Sequence, residues 1–273
     1  MLDRTFVINT FSTSYQVMKQ VKIGKHSVTL YNSIEELPMV RFHKYNRMLL
    51  VDAGLGSDLN AVDGHIERAV TFIKNDRRKE AATEMENIRQ TVYLILQGMS
   101  PKHLAFAVMV KEIDGKPYDD ISDEGLQHIV EVLGDAPLKD VTAESEAVKK
   151  KIDDELTLYF PDDFDNASEK EYYDIMKRRT QVMLDCILIA DTEERKAEIE
   201  RLTDELVMFT KPKNFAGRES VEISYDKHFD DMCLVMSQNL HQDPKKFNVM
   251  EFYNAYHYIK DQQKRQKRQN KVR

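Results

Sequence analysis

The chain has no tryptophan, only two cysteines, and just nine glycines and seven prolines among 273 residues. Each shortage excludes something. Cys186 and Cys233 make no disulfide framework, and both fall in apolar helical patterns, as buried thiols of a reducing compartment would. So few glycines and prolines disfavour an all-β protein assembled from many tight turns. No run approaches the roughly twenty apolar residues that cross a bilayer. The N-terminus, Met1-Leu-Asp-Arg-Thr-Phe-Val-Ile8, lacks the apolar stretch of a signal peptide. The expectation is a protein that is neither secreted nor membrane-bound.

What is present suits a folded core under a charged surface. Hydrophobic residues make up 41% and charged residues 32%, and twelve Phe, twelve Tyr and thirteen Met supply volume. The net charge of −7 is unevenly spread. Between Glu112 and Glu169 stand eighteen acidic residues against five lysines. From Lys260 onward, seven basic residues face only Asp261. An acidic middle and a basic end point to electrostatic contact with something, a second copy included.

The pattern along the chain predicts a mainly α protein, more than half helical, with a small N-terminal β-hairpin and multi-helix bundles. Residues 15–23 and 26–31 alternate and are rich in β-branched residues, with Gly24-Lys25 as a two-residue turn. Ser33 with Glu36 has the spacing of a capping box, and the run from Met39 to Ala53 ends at Gly54 and Gly56. From Asp58, Val62, Ile66, Ala69, Val70 and Ile73 mark one helix face. A second helix runs from about Arg77 to Gln97, and Ser100-Pro101 opens a third. Residues 112–118 read as a tight turn between two short extended pieces, after which Ser122 starts another helix. Residues 138–160 are helical up to a break at Pro161. Ser168 with Glu171 and Asp191 with Glu194 open the two arms of an αα-hairpin. Asn248 with Glu251 caps the last helix. No repeat of fixed period occurs. Three segments follow: the hairpin at 1–32, a helical domain at 33–160 with an acidic second half, and a helical region at 161–273 ending in the basic tail.

Motifs that carry chemistry are missing. Leu49-Leu-Val-Asp-Ala-Gly-Leu-Gly-Ser-Asp58 begins like a glycine-rich phosphate loop, but position 59 is Leu and no Lys-Ser/Thr follows. The eight histidines are scattered, none three or four residues from another. Asp162, Asp163 and Asp165 lack the Gly and distal Glu of an EF-hand. There is no G-x-S-x-G elbow. No catalytic, cofactor or metal residue is assigned, and the expectation is a non-enzymatic interaction protein. An enzyme whose groups meet from distant positions is the rival. The candidate partner-binding residues are Phe252, Tyr253, Tyr256 and Ile259, an apolar stripe on the last helix, and Lys264, Arg265, Lys267 and Arg268 beyond it. The stripe is expected to dock on the chain's own core or in a partner groove. For the basic tail, solvent comes first and an acidic protein surface second. Nucleic acid comes last, because no aromatic beyond Tyr258 offers a base a stacking platform.

Two segments carry a resemblance. Val28-Thr-Leu-Tyr-Asn-Ser-Ile-Glu-Glu-Leu-Pro-Met-Val-Arg-Phe42, continuing to Asp52-Ala-Gly-Leu-Gly-Ser-Asp58, resembles structural and tail-morphogenesis proteins of tailed bacteriophages of Bacteroidales. Asp243-Pro-Lys-Lys-Phe-Asn-Val-Met-Glu-Phe-Tyr-Asn-Ala255 is similar to the C-terminal helix of tail-assembly chaperones. Together they span about a third of the chain. The resemblance implies protein–protein work in virion assembly, as a ring, portal-proximal or tail component, or as a chaperone absent from the finished particle. The implied partners are other phage structural proteins or copies of the chain, in the bacterial host cytoplasm and in the virion. It supplies no catalytic residues.

Overall fold

The structure, a computed structural model, describes residues 19–134, 138–164, 167–209 and 211–271. Helix accounts for 73% of it. Strands β1 (Lys19–Ile23) and β2 (His26–Leu30) form the expected hairpin. Gly24 takes a φ of 57° at the first turn position, where a side chain would be strained. After β2 come helices α1 (Met39–Leu55), α2 (Leu59–Lys74), α3 (Arg78–Leu96) and α4 (Pro101–Met109). α4 passes straight into strand β3 (Val110–Ile113), which pairs antiparallel with β2, and β4 (Lys116–Pro117) returns alongside it. The turn read at 112–118 thus extends the N-terminal hairpin into a four-stranded sheet. Asp114 pins the join: its Oδ1 accepts a 2.9 Å hydrogen bond from the Ser27 amide, and its Oδ2 lies 2.7 Å from His26 Nδ1.

Several helix starts follow the sequence signals and several do not. Asp58 accepts from the Ala61 amide and Ser122 from that of Gly125, opening α2 and α5 (Asp123–Val132). Asn248 and Glu251 cap reciprocally at 2.8 and 3.0 Å and open α11 (Val249–Lys271). Ser33 caps no helix. Residues 33–37 form a turn held from outside: Glu155 Oε2 accepts from Ser33 Oγ at 3.1 Å and from the Ile34 amide at 2.8 Å. Ser100 makes no capping bond, although Pro101 does occupy the first turn of α4. The break at Pro161 is a single helical turn, α7 (Pro161–Phe164), after α6 (Leu138–Tyr159). In the αα-hairpin of α8 (Ala167–Leu188) and α9 (Glu193–Phe209), Thr192 rather than Asp191 accepts from the Arg195 amide. The Ser168 side chain falls outside the described residues. α10 (Val221–Leu240) lies between α9 and α11. α1 runs through Gly54 and stops only before Gly56. A Cβ on Gly54 would sit 2.1 Å from Phe215 Cζ, so the glycine is a contact point and not a stop.

One hydrophobic core crosses both segment boundaries drawn from the sequence. Ile23, Val28 and Leu30 of the sheet share it with Phe42 and Tyr45 of α1, Ile152 and Leu156 of α6, and Phe252 and Ile259 of α11. Three carboxylates of the acidic stretch pair with distant parts of the chain: Glu144 with Lys19 at 2.6 Å, Asp123 with Lys44 at 2.7 Å, and Asp163 with His257 at 2.6 Å. At the centre, Arg41 is buried and donates through Nη1 to Val108 O (2.9 Å) and Val110 O (3.2 Å), and through Nη2 to Tyr118 O. Its guanidinium also stands 5.3 Å from the centre of the Tyr31 ring. Arg41→Ala would leave two carbonyls of the helix-to-strand junction and one after β4 without this donor. It should lower unfolding free energy by about 3 kcal/mol in urea titration. Arg41→Lys, with one compact ammonium, should recover less than half of that.

Candidate interaction surface

The α2–α3 hairpin is where the structure departs furthest from the sequence pattern. The row Val62, Ile66, Ala69, Val70 and Ile73 marks one helix face, yet of these only Ala69 is buried. The helix instead turns His65, Ala69 and Phe72 to the interior. The cause is a carboxylate. Glu84 of α3 is buried, with Oε2 2.5 Å from His65 Nδ1 and Oε1 accepting from Arg68 Nε at 3.0 Å. Positions 65 and 68 lie one turn apart on α2, so satisfying Glu84 fixes which side of α2 meets α3. His65 Nε2 also lies 3.2 Å from Leu55 O, which accepts from Thr91 Oγ1 at 2.9 Å and so gives a last-turn carbonyl of α1 a partner.

Rotating α2 this way leaves apolar side chains outside. Leu59, Ile66, Val70 and Ile73 are 45–72% exposed on α2, and Met85, Val92 and Leu96 are 39–77% exposed on α3. Viewed from its own N-terminus, each helix carries its exposed row about 80° clockwise from the side that meets the other helix, at 3.6 residues per turn. Because the two helices run antiparallel, equal rotations place both rows on the same side of the hairpin. The opposite side carries Arg68, Thr71 and Asn87 and borders a cavity of about 430 Å³. Arg179, Lys211 and Lys213 stand around that cavity. Thr71 Oγ1 of α2 donates to Asp204 Oδ1 of α9 at 3.5 Å and so ties the α8–α9 arm to the hairpin.

The residues singled out on the last helix divide. Phe252 and Ile259 are buried in the chain's own core, and Tyr253 and Tyr256 pack against it. Phe252 stacks obliquely on Phe229 of α10 at 6.0 Å, and Tyr253 meets Phe160 and Phe164 of the acidic stretch at 5.2 and 5.3 Å. Of the two docking sites foreseen for the stripe, the structure fills it with the chain itself. Lys264 and Arg265 are exposed on the extension, and Lys264 lies 3.7 Å from Asp261. Lys267 and Arg268 belong to the same helix, their side chains lying outside the described residues. The α2–α3 face was missed because periodicity locates an apolar row without saying which way it points. The signal available was His65 beside Arg68 with Glu84 sixteen residues further on.

Burial opposes ionisation of Glu84, but the hydrogen bonds from His65 and Arg68 outweigh it and hold the carboxyl below its ordinary value of 4.5. A group with a lowered folded pKa stabilises the fold above its unfolded pKa and loses that contribution as pH falls through the folded one. Thermal stability should therefore drop as pH falls below the ordinary carboxylate range. Glu84→Gln should lower stability at neutral pH by about 3 kcal/mol and flatten the acid limb of the curve. No family model matches the chain, and comparison with curated proteins and with solved structures likewise finds no match.

Proposed function

We propose that the chain is a non-enzymatic structural or assembly protein of a tailed-phage particle, working through helix-face interfaces. The observation that carries this reading is the outward apolar face of α2 and α3. Seven large apolar side chains stand exposed there on one side of the hairpin, the kind of grouped patch that marks an interaction site. The buried polar groups support it too. Arg41 and Glu84 are both buried, and their hydrogen bonds go to backbone carbonyls or to neighbouring side chains of the fold.

The two segments that carry the phage resemblance also meet in space. Pro38 and Asn248 form an antiparallel bridge, with the Met39 amide donating to Phe247 O at 2.8 Å and the Val249 amide to Leu37 O at 3.0 Å. The starts of α1 and α11 are thereby one structural unit. On this reading the chain works in the host cytoplasm and is carried into the virion. Among the described residues, no helix is long and apolar enough to cross a membrane.

The test is mass spectrometry of purified virions together with affinity capture from infected cells. Recovery of ring, portal or tail proteins alongside the chain is expected. Recovery of metabolic enzymes alone would sink the reading. Two variants separate fold from contact. Deleting residues 262–273 should leave the melting temperature nearly unchanged, since exposed basic residues add little to stability. It should weaken capture in a salt-dependent way. Phe252→Ala should instead cost about 3–5 kcal/mol of stability, as emptying a filled core site does.

A further inference from the structure

The apolar face of α2 and α3 has a period that says what covers it. On α2 one register of apolar residues falls at 59, 62, 66, 69 and 73, alternate steps of three and four, with Ala61, Val70 and Phe72 outside it. On α3 one register falls at 81, 85, 88, 92 and 95, again alternate steps of three and four, with Ala82, Tyr93, Leu94 and Leu96 outside it. That 3.5-residue repeat is the seam of helices packing side by side into a bundle. Within the chain each seam is half used. Ala69 and Ala81 are buried against the hairpin itself, whereas Leu59, Ile66, Ile73, Met85 and Val92 stand out from it. Charged residues stand beside the exposed side chains, Asp63 on α2 and Arg89 on α3 among them. Two antiparallel helices with one shared open seam are half of a four-helix bundle.

We infer that this face pairs with the same face of a second copy of the chain, completing a four-helix bundle in which α2 of one copy lies against α3 of the other. Two observations favour a copy over another partner. Seven large apolar side chains, Leu59, Ile66, Val70, Ile73, Met85, Val92 and Leu96, stand 39–77% exposed on one side of the hairpin, an apolar centre for an interface of the standard ~800 Å² per partner. A two-fold pairing covers both rows at once with residues of matching spacing. The edges also suit that arrangement. Asp63 borders the α2 row and Arg89 the α3 row, so opposing α2 to α3 brings unlike charges together at both edges of the bundle. Arg89 is free to turn, being 76% exposed and held only by Glu86 one turn away on its own helix. The inference rests on the interface reading above and names the occupant of that surface.

The experiment is light scattering on the purified full chain at micromolar concentration. The expected result is twice the monomer mass. Ile66→Glu with Val92→Glu, at exposed positions, should give a monomer with unchanged helical circular dichroism. Asp63→Arg should weaken the dimer at least tenfold by placing Arg against Arg, and adding Arg89→Glu should restore it. A monomeric wild type overturns the inference, as does a dimer indifferent to the double glutamate variant. A dimer weakened by Asp63→Arg but not rescued by Arg89→Glu overturns the α2-against-α3 arrangement. Virion proteomics keeps the two proposals apart. A monomer found among ring or tail proteins fails here and leaves the function standing. A dimer that meets no particle protein does the reverse.

Discussion

A guanidinium with no water around it must find its acceptors in the protein, and much of this fold follows from that demand. Arg41 is buried without a carboxylate in hydrogen-bonding reach, so its donors go to backbone oxygens. Those oxygens are free because α4 ends and β3 begins between Val108 and Val110, where the helical ladder has released its carbonyls and the strand ladder has not claimed them all. Burial lowers the Arg41 pKa, while the nearby Tyr31 and Asp119 oppose that shift. One side chain thus holds α1 against the helix-to-strand switch and the segment after β4. It thereby also fixes how the sheet meets the helices.

The two ends of the core are joined by a similar economy. α1 begins after Pro38, which has no amide hydrogen, and α11 begins after Asn248. Helix starts leave amides without partners, and here each entry supplies a carbonyl to the other. Met250 adds a third bond, from its amide to Ile34 O at 3.0 Å. Residues more than two hundred positions apart are tied by backbone alone. Substitution of side chains there therefore acts through packing more than through these bonds.

The buried Glu84 sets the outer surface in the same way that Arg41 sets the inner one. Meeting its hydrogen-bonding demand from α2 uses the side that carries His65 and Arg68, and the apolar row is left facing out. An exposed hydrophobic face is therefore a consequence of satisfying one charge inside. Within the chain, the acidic stretch and the basic end do in part what their opposite signs suggested. Lys260, at the head of the basic run, lies 3.4 Å from Asp163. Lys264 and Arg265 are exposed beyond it, Lys264 lying 3.7 Å from Asp261 of its own helix.

The sequence by itself determined the local elements. The hairpin at Gly24-Lys25, the caps at Asp58, Ser122 and Asn248, and the stop at Gly98 are short-range matters of backbone geometry and capping, settled within a few residues. Tertiary structure decided what those elements face. Ser33 has the spacing of a cap, but Glu155 supplies the bonds at that turn from 122 positions away. Nothing in the local sequence marks Arg41 as interior; three distant carbonyls brought to it make it so. The apolar row on α2 is legible as a row, yet its direction depends on Glu84, which lies on another helix. Periodicity fixes angles around one axis. Only the packing of several axes, each with its buried polar groups satisfied, fixes which angle is inside.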